Sequence, residues 1–277
     1  MITPRVAIVM PVTRIELVPD AIASVVSQTH TNWKLFLVAD KVDGLCKLEK
    51  DLKELIRLYD LFTHTRAEII MFPKKGKEPK WGQVRNYACE EIALLVRKQH
   101  ERFTHIAFLD DDDIWFPDHL EIALQAFGNE SIGHFSDSFV VTSFFKVPAQ
   151  FRLRAVDWTR DQFIENCMPQ SGTQPYLSMM RILNPDTFTA SALVIPIAMG
   201  SIDWPVAYRR DDRPLPGEDL RLIQSYLLNE YQPIWVKSPS TLANLNYPTQ
   251  NYVGSGEPDE IVRLGHIPHL GPDRIPR

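Results

Sequence analysis

This chain has little cysteine. Its three thiols, Cys46, Cys89 and Cys167, are odd in number and widely spaced, which excludes a disulfide framework and matches no zinc-ligand pattern. They read as free thiols in a reducing compartment, so the expected localisation is cytoplasmic. Long hydrophobic runs are also missing. The apolar stretch from Val6 ends at Pro11, too short for a signal sequence, and no later segment approaches the roughly 18 apolar residues of a spanning helix. A transmembrane segment is therefore not expected, and any membrane contact is peripheral. Nor is positive charge in excess: 30 Lys and Arg stand against 35 Asp and Glu, a net charge of -5. That balance argues against a general nucleic-acid binder, and no nucleic-acid partner is expected. Internal repeats and low-complexity tracts are absent, and 44% hydrophobic with 23% charged residues is ordinary for a globular protein.

What is present is an alternation of strand-like and helix-like segments. Val6 to Met10, Leu35 to Val38, Ala67 to Phe72 and His105 to Leu109 read as strands. Between them, Leu17 to Gln28, Cys46 to Tyr59 and Gln83 to Arg97 read as helices. Repeated β-α-β units predict an α/β, Rossmann-like three-layer sandwich with a mainly parallel sheet and right-handed crossovers. A helix is predicted from Pro117 to Ala126 and a strand from Ser138 to Phe145. The pattern weakens from Pro148 to Gln174. It returns with a strand at Phe188 to Ile195, a helix at Gly217 to Asn229, and short strands at Ile234 to Val236 and Thr241 to Leu245. From Gly254 the tail is rich in Gly and Pro.

Four consecutive aspartates, Asp110 to Asp113, follow the apolar run Ile106-Ala107-Phe108-Leu109. They fall at the carboxyl end of a predicted buried strand, where open α/β sheets bind ligands. Buried carboxylates repel one another unless a cation pairs with them, and hard oxygen ligands suit Mg²⁺ or Mn²⁺ held between protein carboxylates and substrate phosphates. Taken alone, the run also reads as a solvated acidic turn that caps the helix near Pro117.

Six segments in order carry a resemblance. They are the opening strand ending in Pro11, Ser24-Val25-Val26-Ser27-Gln28-Thr29, and Trp33 through Asp40. Gly82-Gln83-Val84-Arg85-Asn86-Tyr87-Ala88 and Phe108-Leu109-Asp110-Asp111-Asp112-Asp113 follow, and Gly217-Glu218-Asp219-Leu220 comes late. The set resembles glycosyltransferase family 2, closely to Leu120 and loosely to about residue 245. The resemblance implies a single GT-A domain over 1–277 with a mixed central sheet. Residues 1–120 would form a nucleotide-sugar-binding half, 121–250 a less regular acceptor-binding half, and 251–277 a tail.

It further implies a metal-dependent, inverting transfer of a sugar from a nucleoside diphosphate sugar, UDP-sugars favoured. The acceptor would be a glycan, a lipid-linked saccharide or another hydroxyl compound, as in polysaccharide synthesis. Asp112 would be the principal ligand of Mn²⁺ or Mg²⁺, with Asp110 a further metal candidate. Asp110 or Asp111 would contact ribose or a metal-bound water, and Asp113 would cap the next helix or support the ligands. Pro11, Asp40, Lys80 and Arg85 would meet the nucleotide, Asp40 through the imide of the base. Lys74, Lys75 and Lys77 read as an exposed loop. Asp219 is the candidate base, with Glu218 beside it as orienting group or alternative base. His266 and His269 are candidates to complete the metal site. Trp158, Trp204, Tyr176 and Tyr208 are candidate acceptor contacts.

Two departures from the family pattern bear on this. Ala39 stands where a first acid is common before Asp40, and Pro11-Val12-Thr13-Arg14 is one residue short of the usual first loop. That loop also lacks the glycines of a nucleotidyltransferase. The alternative reading is a catalytically silent GT-A module that binds nucleotide sugar or glycan.

Overall fold

β1 (Val6–Val12) is buried at every position, and its alternating side chains divide the core into two. Val6, Ile8, Met10 and Val12 face α1 (Val18–Val26), α2 (Leu45–Leu58) and α4 (His119–Ala126). Ala7 and Val9 face the opposite layer, made by α3 (Trp81–Gln99) and α5 (Glu218–Leu228), through Val84, Ala88, Ile92, Leu222, Ile223 and Tyr226. A strand covered on both faces reads as a continuous apolar run, which is why this segment is legible before folding. The computed structural model describes residues 3–39, 45–59, 66–72, 81–99, 101–128, 138–147, 161–162, 165, 175–176, 189–201 and 218–244.

β1 pairs in parallel with β2 (Trp33–Ala39) on one side and β4 (His105–Phe108) on the other, and β2 pairs in parallel with β3 (Ala67–Met71). Beyond β4 the direction changes. β8 (Leu193–Pro196) is antiparallel to β4 and to β6 (Ser138–Val147), and β6 runs parallel to β9 (Gln232–Asn244). β9 pairs antiparallel with β5 (Ile114–Trp115), and β7 (Pro175–Tyr176) adds to β6. The order β3-β2-β1-β4-β8-β6-β9-β5 is a mixed sheet, as the resemblance implies, and its first four strands form the parallel part expected of the first half.

Three elements differ from the sequence-based expectation. The segment expected as one strand from Phe188 enters as a 3-10 turn, Ala190–Ala192, with strand only from Leu193. The two short strands expected after Ile234 are one continuous β9. Its pairing with β6 shifts register between Thr142 and Phe144, opposite Pro239. A bulge of this kind accommodates a residue that has no N–H for the ladder. Ile114–Trp115, expected only as residues trailing the aspartates, forms β5.

Candidate functional site

The chain leaves β1 toward β2 on one side and returns to β4 on the other, so the carboxyl ends of β1 and β4 flank the point where strand order reverses. Open α/β sheets bind ligands at such a point because the loops diverge there and leave a crevice. Pro11 lies at this end of β1, two residues past the last β4 pair, Val9 with Phe108. Val9 accepts the Leu109 N–H at 3.0 Å. Backbone alternation therefore turns Pro11 to the same side, where the ladder has ended and its missing N–H costs nothing.

The aspartate turn is closed on itself by the Asp113 N–H donating to the Asp110 carbonyl at 3.1 Å. Asp111 is almost fully enclosed. Its Oδ2 accepts the Thr13 N–H at 2.7 Å, the Thr13 hydroxyl at 3.0 Å and the Arg14 N–H at 2.8 Å. Its Oδ1 accepts Arg14 Nε at 3.2 Å and Nη2 at 2.7 Å. Five donors occupy both oxygens, so Asp111 pins the loop after β1 to the turn after β4. Asp112 Oδ2 pairs with Arg14 Nη1 at 2.8 Å. Asp110 Oδ1 pairs with Nη2 of Arg85, which reaches it from α3 and is buried.

The turn is also held from behind. The Asp110 N–H donates to the Ser191 hydroxyl at 2.9 Å, and Thr189 Oγ1 donates to Asp113 Oδ2 at 2.9 Å. Ser191 O accepts Trp115 Nε1 at 2.7 Å and the Thr241 hydroxyl at 3.2 Å. Asp113 is therefore a buried supporting group, and the N-cap residue of α4 is Asp118 instead. Neither Thr13, Arg14, Thr189 nor Ser191 stood out in the sequence. Arg14 was visible only as part of a shortened loop. Thr189 and Ser191 carry no local signal, because their partners lie 76 and 81 residues away.

Among the described residues, four aspartates in the turn face two guanidiniums. The Asp112 carboxyl is pushed up to about 6, chiefly by burial and also by the like charges of Asp110 and Asp111, against the downward pull of Arg14. Burial works against the Arg14 charge, but Asp112 and Asp111 outweigh it and raise its pKa above the usual arginine value. The carboxylates of Asp110 and Asp112 are hard donors at a strand end. Among the described residues there is no group of three or more His, Cys, Asp or Glu arranged to hold a metal. A divalent ion here would draw on one or two carboxylates and complete its shell from phosphate and water, which is how Mg²⁺ is commonly held.

Several expected site residues lie outside the described residues: Asp40, Lys80, the lysines 74, 75 and 77, His266 and His269, and Trp158, Trp204 and Tyr208. Glu218 and Asp219 open α5, and Tyr176 ends β7, but the side chains of all three fall outside as well. Among the described residues no helix is long and apolar enough to cross a membrane.

No family model matches the chain. It is 30% identical over 108 residues, 39% of its length, to an uncharacterized glycosyltransferase of Acanthamoeba polyphaga mimivirus, covering 42% of that protein. It is 31% identical over 122 residues, 44% of its length, to an uncharacterized glycosyltransferase of Rickettsia bellii, covering 15% of that protein. The chain thus spans less than half the length of either relative. Crystal structures of S. aureus TarS share its fold. The UDP-GlcNAc complex has a TM-score of 0.53 at 15% identity, covering 94% of this chain and 65% of the TarS chain. A second TarS structure gives 0.51 at 15% identity over 87% of this chain and 60% of that one. In sequence this chain is similar to proteins named glycosyltransferases, and in structure it has the mixed α/β fold of TarS.

Proposed function

We propose that the chain transfers a sugar from a nucleoside diphosphate sugar to an acceptor hydroxyl, with inversion at the anomeric carbon and with Mn²⁺ or Mg²⁺ at the aspartate turn. The observation that carries this reading is the meeting of the Thr13–Arg14 loop with Asp111 and Asp112 at the switch point of the sheet. Among the described residues four carboxylates face two guanidiniums, and the hard oxygens of Asp112 and Asp110 suit Mn²⁺ or Mg²⁺. When bound, the cation neutralises the diphosphate and stabilises charge on the leaving group.

Pro11, Asp40, Lys80 and Arg85 are the proposed nucleotide contacts. UDP-sugar is the first choice of donor, since the TarS neighbour was crystallised with UDP-GlcNAc. Asp219 takes the proton from the acceptor hydroxyl as its oxygen bonds to the anomeric carbon and the bond to the diphosphate breaks. Glu218 orients either the base or the acceptor. In this reading residues 1–120 bind the donor and 121–250 the acceptor, a glycan or lipid-linked saccharide in polysaccharide synthesis.

The test is a thermal-shift and calorimetric screen of UDP, GDP, dTDP and CDP with and without Mn²⁺, because a ligand that binds only the native state raises its melting temperature. Metal-dependent stabilisation by one nucleotide supports the reading and identifies the base. A folded protein that responds to none of the four overturns it.

A further inference from the structure

Arg14 uses three guanidinium nitrogens on two neighbouring carboxylates, Nε and Nη2 on Asp111 and Nη1 on Asp112. Its side chain is 30% exposed, whereas those of Asp111 and Asp112 are 3% and 15% exposed. The cation therefore covers the turn from its solvent side. Asp111 depends on that guanidinium only in part, because its Oδ2 keeps the Thr13 N–H, the Thr13 hydroxyl and the Arg14 N–H whatever side chain residue 14 carries. Asp112 stands differently. Its ion pair is with Arg14 Nη1, and that contact ends on an oxygen of the kind a divalent cation would use.

We propose that Arg14 is a positioning residue of the donor site, an internal cation that holds one oxygen of Asp112 and that a divalent ion displaces when it arrives with a nucleoside diphosphate. The inference rests on the donor-site reading above. A guanidinium anchored through two nitrogens on Asp111 gives up Asp112 by losing a single Nη1 contact, and its stem need not move. The released N–H then becomes available to an anionic oxygen of the diphosphate. A divalent ion alone must compete with a charge already present, whereas a divalent ion with diphosphate supplies Arg14 with a replacement partner. The two ligands therefore bind cooperatively, each raising the affinity for the other by the same factor.

The experiment is an electron paramagnetic resonance titration of the whole chain with Mn²⁺ alone, paired with calorimetry of UDP with and without Mn²⁺, on wild type, Arg14→Met and Arg14→Lys. Removing a unit positive charge beside Asp112 should tighten binding of Mn²⁺ alone by about tenfold and reduce the Mn²⁺–UDP coupling by a similar factor. Arg14→Lys, a point charge that cannot hold both carboxylates in a fork, should fall between. A purely structural role for Arg14 predicts weaker Mn²⁺ binding instead. Unchanged or weaker Mn²⁺ binding by folded Arg14→Met, with wild type still taking UDP in a Mn²⁺-dependent way, overturns the role of Arg14 and leaves the donor site standing. Failure of wild type to take either ligand overturns both. If Arg14→Met does not fold, Arg14→Lys decides: a rise in Mn²⁺ affinity over wild type supports the proposal, and no rise overturns it.

Discussion

The Thr189 hydroxyl donates to a carboxylate oxygen of Asp113 at 2.9 Å across 76 residues of chain, with both side chains buried. This bond joins the entrance to β8 to the aspartate turn after β4. The entrance to a strand that runs antiparallel to β4 thus supports the turn from behind.

Thr189→Val removes that donor at nearly constant volume. A buried carboxylate that loses a hydrogen bond is destabilised by about 1–3 kcal/mol, so the urea midpoint should fall with an unchanged slope. UDP binding should weaken along with it. A midpoint equal to wild type would mean the bond contributes nothing.

Gln28 ties α1 to the start of α4. Its Nε2 donates to the Ser24 and Phe116 carbonyls at 2.9 and 2.8 Å, and its Oε1 accepts the Leu120 N–H at 3.0 Å. Gln28→Leu leaves buried backbone groups without these bonds and should cost about 2–4 kcal/mol in chemical denaturation. Because the lost bonds lie on the helical layer and not in the aspartate turn, nucleotide affinity in the folded variant should change by less than about threefold. A larger loss of affinity would place Gln28 in the binding site.

Acid sensitivity should come from two buried histidines. Burial holds His105 down at about 4, with the His30 charge acting in the same direction; it holds His119 down at about 3, against the opposing hydrogen bond at Ser240. In the unfolded chain both titrate near the ordinary value of 6.5. The native state refuses protons that the unfolded state accepts, so stability is full above pH 6.5 and falls as pH drops toward 4 and 3. The loss should reach about 2 kcal/mol per histidine at pH 5. His119→Gln and His105→Gln should each flatten the acid limb relative to wild type in denaturation measured from pH 7 to 5. Parallel curves for wild type and both variants would remove histidine burial as the cause.

Donor binding and transfer should separate by mutation. Asp112→Ala should abolish metal-dependent UDP binding by calorimetry, whereas Asp219→Asn should keep that binding and lower transfer by about 10²-fold or more, the range of a lost general base. Normal transfer by Asp219→Asn would move the base to Glu218 or elsewhere.

Much of this was legible in the amino-acid order because the determinants are local. β1, β2 and β4 are apolar runs and α1 through α4 have helical spacing, so each announces its own period. The position of the aspartates at a strand end follows from the run before them. The sequence also determined that the acids would need counter-charge, since four adjacent carboxylates near a buried strand repel one another whatever surrounds them. It did not determine the source of that charge. Arg14 and Arg85 reach the turn only because β4 lies beside β1 and because α3 packs across both. Thr189 and Ser191 reach it only because β8 runs antiparallel to β4. The break at Pro239 looked like the end of one strand and the start of another until β6 supplied a bulged partner. Strand order and pairing are long-range choices, selected by the burial of whole faces of the sheet. No local window contains them, and they decided which side chains meet the aspartate turn.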